Sequence, residues 1–258
     1  WVGVRGGGGR CAGGRVGGGG QRARTELYRG YLQQLADAGL AYPCTCSRKD
    51  IEQASSAPHS EEGAIYPGTC RDRWDSFEQA EADSGIKPAW RFRWDGDAVE
   101  FQDEVAGDFA VDPSILGDFV LWRRDDLPSY QLAVSVDDAL MGVTQVLRGR
   151  DLLTSTARQL ALYQALGLNA PRHWAHVPFL QDAKGRRMAK RDGDLALAHL
   201  RETGVSPERI VGFIAWSAGL TGELKSTAAA GLIDGFALKP LNKEDFVVMD
   251  KHLAWLHA

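Results

Sequence analysis

Long apolar runs are missing from this chain of 258 residues. No stretch approaches the ~18 uninterrupted apolar residues that a membrane span needs, and no apolar signal core ending in a cleavage site opens the sequence. A soluble, cytoplasmic protein is therefore expected. Cysteine is scarce: the four residues present are too few for a disulfide scaffold in a chain of this size. An excess of basic charge is also lacking. With 30 Lys and Arg against 34 Asp and Glu, the net charge of −4 supplies no global attraction for nucleic acid, so an RNA partner would have to be met by a local patch. No internal repeat is evident. What is present is a 44% hydrophobic content, enough for one sizeable core or a main domain with a smaller satellite.

Residues 1–20 are more than half glycine with arginine interspersed. Such a segment buries too little to offset its chain entropy, which predicts a disordered leader. Its glycines stand at the spacing of a phosphate loop, but no strand precedes them and no apolar helix directly follows. From Arg24 to Leu40 the residues Leu27, Tyr31, Leu35 and Ala38 recur at helical spacing, and Gly39 supplies a stop. Residues 41–71 form a polar stretch expected to be a loop-rich insertion. Trp90–Trp94 and Val99–Phe101 alternate on either side of Asp95-Gly96-Asp97, predicting a β-hairpin, and Phe119–Trp122 is expected as a buried strand. A strand over Val143–Leu147, a helix over Leu153–Leu166 capped by Thr154 or Ser155 and closed by Gly167, and a strand over His176–Leu180 would make a β-α-β unit. That favours a parallel sheet. One or two helices are expected within Leu195–Ala218, with Phe213 and Trp216 packing.

Two groups of residues carry chemistry. Cys44-Thr45-Cys46 places two thiols on one short turn and Cys70 returns later, so three soft ligands can share one tetrahedral Zn²⁺. A fourth ligand is then needed, and on chemistry alone His59 is the first choice. The second group is the basic stretch Gly185-Arg186-Arg187-Met188-Ala189-Lys190-Arg191, which offers positive charge and donors for an anion.

The run Tyr130-Gln-Leu-Ala-Val-Ser-Val-Asp-Asp138, followed by Met141-Gly-Val-Thr and Leu147-Arg148-Gly, resembles the catalytic core of class I aminoacyl-tRNA synthetases of the glutamate type. Arg187–Arg191 resembles their Lys-Met-Ser-Lys-Ser signature, with Lys190 at the second lysine and Arg187 keeping charge at the first. The resemblance runs from about Gln21 to the C-terminus and implies an α/β fold, a Rossmann-like parallel sheet with a zinc-binding insertion at 41–71 and a helical region over 181–258. It implies ATP as a substrate, accompanied by Mg²⁺, with Lys190 and Arg187 as catalytic residues on its phosphates and Lys190 as the ATP contact. Tyr130 and Arg148 would hold glutamate, because a fixed guanidinium can grip a carboxylate bidentately. An alternative makes Tyr130 a core aromatic and Arg148 an ion-pair partner of Asp151. Asp137 and Asp138 are expected in capping or positioning roles. In the glutamyl-queuosine branch of the family, a Cys-x-Cys pair is completed by Tyr-x-x-x-Cys, which implies Tyr66 with Cys44, Cys46 and Cys70 as metal ligands.

Two departures stand out. The His-Ile-Gly-His-type signature and the early acidic segment that contacts the glutamate amino group are absent, so the core is expected to lack its first strand and helix and to expose apolar surface, as a truncated or frame-shifted product would. No anticodon-binding domain follows the basic loop. The resemblance therefore implies activation of L-glutamate and its transfer to queuosine in tRNA(Asp) by a monomer. The alternatives are a fragment of a glutamyl-tRNA synthetase, or a non-catalytic zinc-containing RNA-binding module.

Overall fold

The computed structural model describes residues 2–3, 21–54, 64–188 and 196–258. Of the glycine-rich leader it describes only β1 (Val2–Gly3), which pairs antiparallel with a later strand where the sequence predicts no structure. Helix α1 (Thr25–Asp37) leads into β2 (Ala41–Cys44), α2 (Arg48–Ala54) and α3 (Phe77–Ser84). The α1 stripe is rotated from the expected one. Tyr28, Leu32 and Leu35 are buried while Leu27 is exposed, because the Tyr28 hydroxyl is drawn inward to donate to Asp137 at 2.8 Å. Helix α3 begins where the Ser76 side chain accepts from the Gln79 N–H and ends at Gly85 in the left-handed region.

Strands β3 (Ala89–Phe92), β4 (Val99–Asp103) and β5 (Gly107–Val111) follow, then α4 (Pro113–Leu116) and β6 (Phe119–Trp122). The expected hairpin between the Trp90 and Val99 runs does not form. β4 instead turns back on β5 with Phe101 opposite Phe109, whereas β3 lies between β2 and β6 in a separate antiparallel sheet of three strands. The turn explains the choice. The Asp103 carboxylate accepts from the N–H groups of Val105 and Ala106, and Gly107 takes a positive φ of 102°. The insertion likewise contains more regular structure than expected, since β2 is a fully buried strand.

Helix α5 (Tyr130–Met141), β7 (Gln145–Gly149), α6 (Leu153–Leu166) and β8 (His173–Val177) complete the larger sheet, whose order is β1-β7-β8-β4-β5. β7 and β8 are parallel, with Arg148 opposite His176, so the expected β-α-β unit is present. Helix α6 ends at Gly167 as expected, but neither Thr154 nor Ser155 caps its start. The helix grows from a 3₁₀ turn at Arg150–Leu152, and the buried Ser155 hydroxyl accepts from Gln131. The main core lies between the three-stranded sheet, α1, α5 and α6, with Val99, Phe101 and Val111 of the larger sheet packed against it, and includes Tyr28, Leu35, Leu121, Leu132, Val136 and Leu162. Further on, β9 (Leu180–Gln181) pairs in parallel with β10 (Phe246–Val247), while α7 (Leu197–Glu202), α8 (Pro207–Ser217) and α9 (Asp250–His257) surround a second core of Leu200, Phe213, Val248 and Leu256. Phe213 and Trp216 pack with ring centroids 6.4 Å apart. Among the described residues no helix is long and apolar enough to cross a membrane.

Candidate functional site

Parallel strands of an open α/β sheet present their carboxyl ends to ligands. Arg148 stands there on β7, 7% exposed, and α5 brings Tyr130 beside it from its first turn. The Arg148 Nε–H donates to His176 Nε2 at 2.9 Å, and Nη2 donates to Thr156 Oγ1 at 2.8 Å and to the Leu152 carbonyl at 3.1 Å. Nη1 reaches only the Tyr130 hydroxyl, at 3.4 Å. Among the described residues no carboxylate forms an ion pair with this guanidinium, and Asp151, the alternative partner, pairs with Arg187 at 3.0 Å instead. Burial lowers the Arg148 pKa, yet a guanidinium stays protonated in proteins. The outcome is a buried cation whose free N–H groups face a cavity of about 530 Å³ lined by Tyr130, Val134, Asp138, Met141, Leu147 and Leu152. An unpaired charge in such surroundings is costly and favours an anionic ligand.

The cavity wall includes exposed apolar surface. Leu147 is 42% exposed and Tyr130 44%. Asp138, by contrast, is 2% exposed, its Oδ1 has no hydrogen-bond partner among the described residues, and burial raises its pKa to about 7, with Arg148 opposing and Asp137 adding to the shift. Asp137 accepts from Tyr28 and pairs with Arg24 at 2.8 Å, so it positions α1 against α5; neither aspartate caps a helix. A larger hollow of about 650 Å³ lies between the Trp94–Val99 loop and α6, but its charged lining is exposed or, for Arg93, paired with Asp72. The smaller cavity is the chemical one.

Arg187 is half-exposed, its guanidinium over the Phe179 ring and held by Asp151. Lys190, Ala189 and Arg191 lie outside the described residues, as do His59 and Cys11.

A second cluster lies in the three-stranded sheet. The thiols of Cys44, Cys46 and Cys70 come within 4.8 Å of one another, with Cys46 and Cys70 sulfurs 3.5 Å apart. The Tyr66 hydroxyl joins them, 3.4 Å from the Cys44 sulfur and 4.0 Å from that of Cys46, while accepting from the Cys70 N–H. Sulfurs bound to one tetrahedral zinc at about 2.3 Å lie roughly 3.7 Å apart, so the three thiols fit this ion. Arg91 donates to the Cys44 sulfur at 3.2 Å and stacks over the Tyr66 ring, and Arg124 donates to the carbonyls of Thr45 and Cys46. Cationic neighbours of this kind favour thiolate. A hydrogen bond from Cys44 draws Cys70 down to about 4, while that same bond and burial push Cys44 up, and burial pushes Cys46 up. Buried Asp118 fastens the cluster to the sheet by accepting from Arg71, Tyr42 and the Trp94 N–H.

These two sites sit on a sheet-and-insertion architecture matched by the catalytic domain of class I tRNA synthetases for glutamate and glutamine over residues 20–255. The chain belongs to that family. It is 44% identical over 226 residues to the glutamyl-Q tRNA(Asp) synthetase of Symbiobacterium thermophilum, covering 87% of this chain and 70% of that one. It is 42% identical over 240 residues to the protein of that name from Rhodopirellula baltica, covering 88% and 72%. Glutamate–tRNA ligase 1 of Halorhodospira halophila is 39% identical over 219 residues, 84% of this chain but 46% of its own length. The fold matches that of a glutamate tRNA ligase from Elizabethkingia meningosepticum, solved in complex with its amino acid, with a TM-score of 0.73 at 24% identity, over 95% of this chain and 54% of that one.

Sequence reasoning missed His176 and Asp103, which hold Arg148 from behind. The available signal was a histidine inside an otherwise apolar strand, and an aspartate ending another.

Proposed function

We propose that this chain activates L-glutamate with ATP and transfers it to queuosine in tRNA(Asp). The observation that carries the reading is the buried Arg148 guanidinium, whose Nη1, among the described residues, meets only the adjacent Tyr130 hydroxyl and stays open to a carboxylate. Because Nε and Nη2 are committed inside the protein, a carboxylate would be met by Nη1 and the Tyr130 hydroxyl together, and the bidentate grip expected of the fork is not available. Glutamate would lie with one carboxylate here, while an oxygen of its α-carboxylate attacks the α-phosphorus of ATP. Pyrophosphate departs and a mixed anhydride forms. A hydroxyl of the queuosine base then attacks the carbonyl carbon, releasing AMP and leaving an ester.

Negative charge grows on the departing pyrophosphate, and cations at fixed positions stabilise it. Arg187 and Lys190, both in the basic stretch that resembles the family signature, are assigned this role, with Mg²⁺ accompanying the nucleotide. Cys44, Cys46, Cys70 and the Tyr66 hydroxyl would hold a zinc ion, whose contribution is to fasten a segment too poor in apolar residues to pack by itself. Residues 1–20 are assigned to a leader, 21–180 to the catalytic unit and 181–258 to the basic loop and helical region. The higher identity to glutamyl-Q synthetases than to the glutamate–tRNA ligase favours queuosine over a tRNA 3′ end as the acceptor.

The test is glutamate-dependent ATP–pyrophosphate exchange on folded protein, followed by transfer of labelled glutamate to tRNA(Asp) with and without queuosine. Exchange with L-glutamate and queuosine-dependent transfer are expected. Absence of exchange together with no calorimetric binding of glutamate would overturn the reading, and exchange with transfer to queuosine-free tRNA would move the acceptor.

A further inference from the structure

The guanidinium of Arg148 is held in place by a buried chain of groups that ends on β4. His176 is 1% exposed, and its Nδ1 lies 2.6 Å from Asp103 Oδ2 while its Nε2 faces the Arg148 Nε–H at 2.9 Å. The Thr156 hydroxyl is 3.3 Å from the same Nε2 and accepts from Arg148 Nη2. A guanidinium has only donors, so the Nε2 facing it must carry a lone pair. The proton of a neutral imidazole then belongs on Nδ1, where the Asp103 carboxylate accepts it. Burial works against ionisation of Asp103, but bonds from the His176 ring and from the N–H groups of Ala106 and His176 outweigh it and lower its pKa. The Asp103 side chain cannot turn over freely, because its Oδ1 accepts from the backbone N–H groups of Val105, Ala106 and His176 at 3.1, 2.8 and 3.1 Å.

We infer that Asp103 and His176 are positioning residues: the carboxylate selects the Nδ1–H tautomer, which presents Nε2 to the Arg148 Nε–H and leaves Nη1 aimed at the substrate carboxylate beside the Tyr130 hydroxyl. The identity of that carboxylate as glutamate's rests on the function proposed above; the orientation of Arg148 does not. No direct contact of either residue with substrate is implied. A guanidinium merely filling space would need no acceptor at Nε, whereas here β8, α6 and the 3₁₀ turn supply acceptors to Nε and Nη2, and among the described residues Nη1 meets only the Tyr130 hydroxyl, at 3.4 Å.

The discriminating change is Asp103→Asn. Three backbone N–H groups keep an oxygen at the Oδ1 position, so the new amide places its NH₂ against Nδ1. Nδ1 must then accept, the ring proton moves to Nε2, and two N–H groups oppose each other at the Arg148 contact. His176→Gln is the rescue variant, since its carbonyl can reach the Arg148 Nε–H; His176→Leu cannot accept.

On the full chain with ¹⁵N-labelled histidine and arginine, long-range ¹H–¹⁵N spectra read the His176 tautomer and the protection of the Arg148 Nε–H, while calorimetry reads L-glutamate affinity. The expected result is Nδ1–H in the unmodified protein and Nε2–H in Asp103→Asn. Arg148 Nε–H protection should be lost, with glutamate affinity down roughly ten- to a hundredfold in Asp103→Asn and His176→Leu but near the original in His176→Gln. An Nε2–H tautomer in the unmodified protein overturns the inference, as does unchanged affinity in a folded Asp103→Asn variant. If the unmodified protein binds no glutamate, the functional reading fails by itself, and the Arg148 Nε–H decides the positioning: protection lost in Asp103→Asn supports it, and protection retained overturns it.

Discussion

Two arginines of this molecule are buried to the same degree, Arg91 in the small sheet and Arg148 in the large one. Their surroundings differ in one respect. Arg91 is spent on its own protein: it donates to the Cys44 sulfur and the Asp118 carbonyl and covers the Tyr66 ring. Arg148 also meets neutral acceptors, but its Nη1 opens on a cavity. A buried cation answered by the fold supports architecture; one left partly unanswered marks a place where a ligand completes the charge balance. The cysteine cluster and the Arg148 pocket should therefore respond to perturbation in opposite ways, the first through stability and the second through binding.

The largest effect is expected from the cysteine cluster. With zinc held by the cluster as proposed, its removal by a strong chelator, or Cys70→Ser, should cost several kcal/mol, roughly 10 °C in Tm. Calorimetry paired with metal analysis checks this, and an unmoved Tm on metal-free protein would reduce the cluster to packed thiols. Next comes Asp118→Ala, which leaves the Tyr42 hydroxyl and the Trp94 N–H without their acceptor and Arg71 with Asp95 alone. Urea unfolding should show a loss of about 3–5 kcal/mol.

The pocket should behave differently. Arg148→Lys removes the planar fork but keeps a cation, and is expected to weaken L-glutamate binding by about 100-fold, near 3 kcal/mol, while metal content stays unchanged. Equal losses of zinc and glutamate in this variant would mean that the two regions are one unit, which would break the comparison.

The smallest effect concerns Asp138. Its folded pKa of about 7 stands above the ordinary 3.8, chiefly through burial, so ionising it opposes folding. For an acid raised in this way the destabilisation is absent below about pH 4, grows as pH rises through the interval, and is complete above pH 7. Asp138→Asn should thus raise stability at pH 8 by on the order of 2 kcal/mol and leave it nearly unchanged at pH 4, with some of the full shift screened by water in the open groove. Denaturation curves at the two pH values decide it, and a variant less stable at pH 8 would show that the charged carboxylate serves Arg148.

Much of this was legible before any coordinates. The β7-α6-β8 unit follows from apolar periodicity and a glycine stop, both local properties. The Cys44-x-Cys46 pair and Cys70 pointed to a cluster of three thiols that the fold does assemble, and the family resemblance pointed to Tyr66 beside them. Partner choice was less legible. The Trp90 and Val99 runs alternate equally well and flank a plausible turn, yet they belong to different sheets, because the Asp103 turn closes β4 onto β5 and leaves β3 to β2 and β6. For the same reason α1 turns Tyr28 inward: the carboxylate that attracts its hydroxyl lies on α5, far along the chain.

By itself the sequence determined which chemical groups are available, where helices and strands can run, and which family's motif the Tyr130–Arg148 segment carries, since each depends on residue type and short-range order. Only the tertiary structure decided that Asp151 answers Arg187 instead of Arg148, that His176 and Asp103 hold that guanidinium from behind, and that Asp138 Oδ1 has no hydrogen-bond partner among the described residues. Hydrogen-bond saturation and ionisation depend on neighbours brought together from distant segments, and no spacing along the chain records which donor remains free once those neighbours have met.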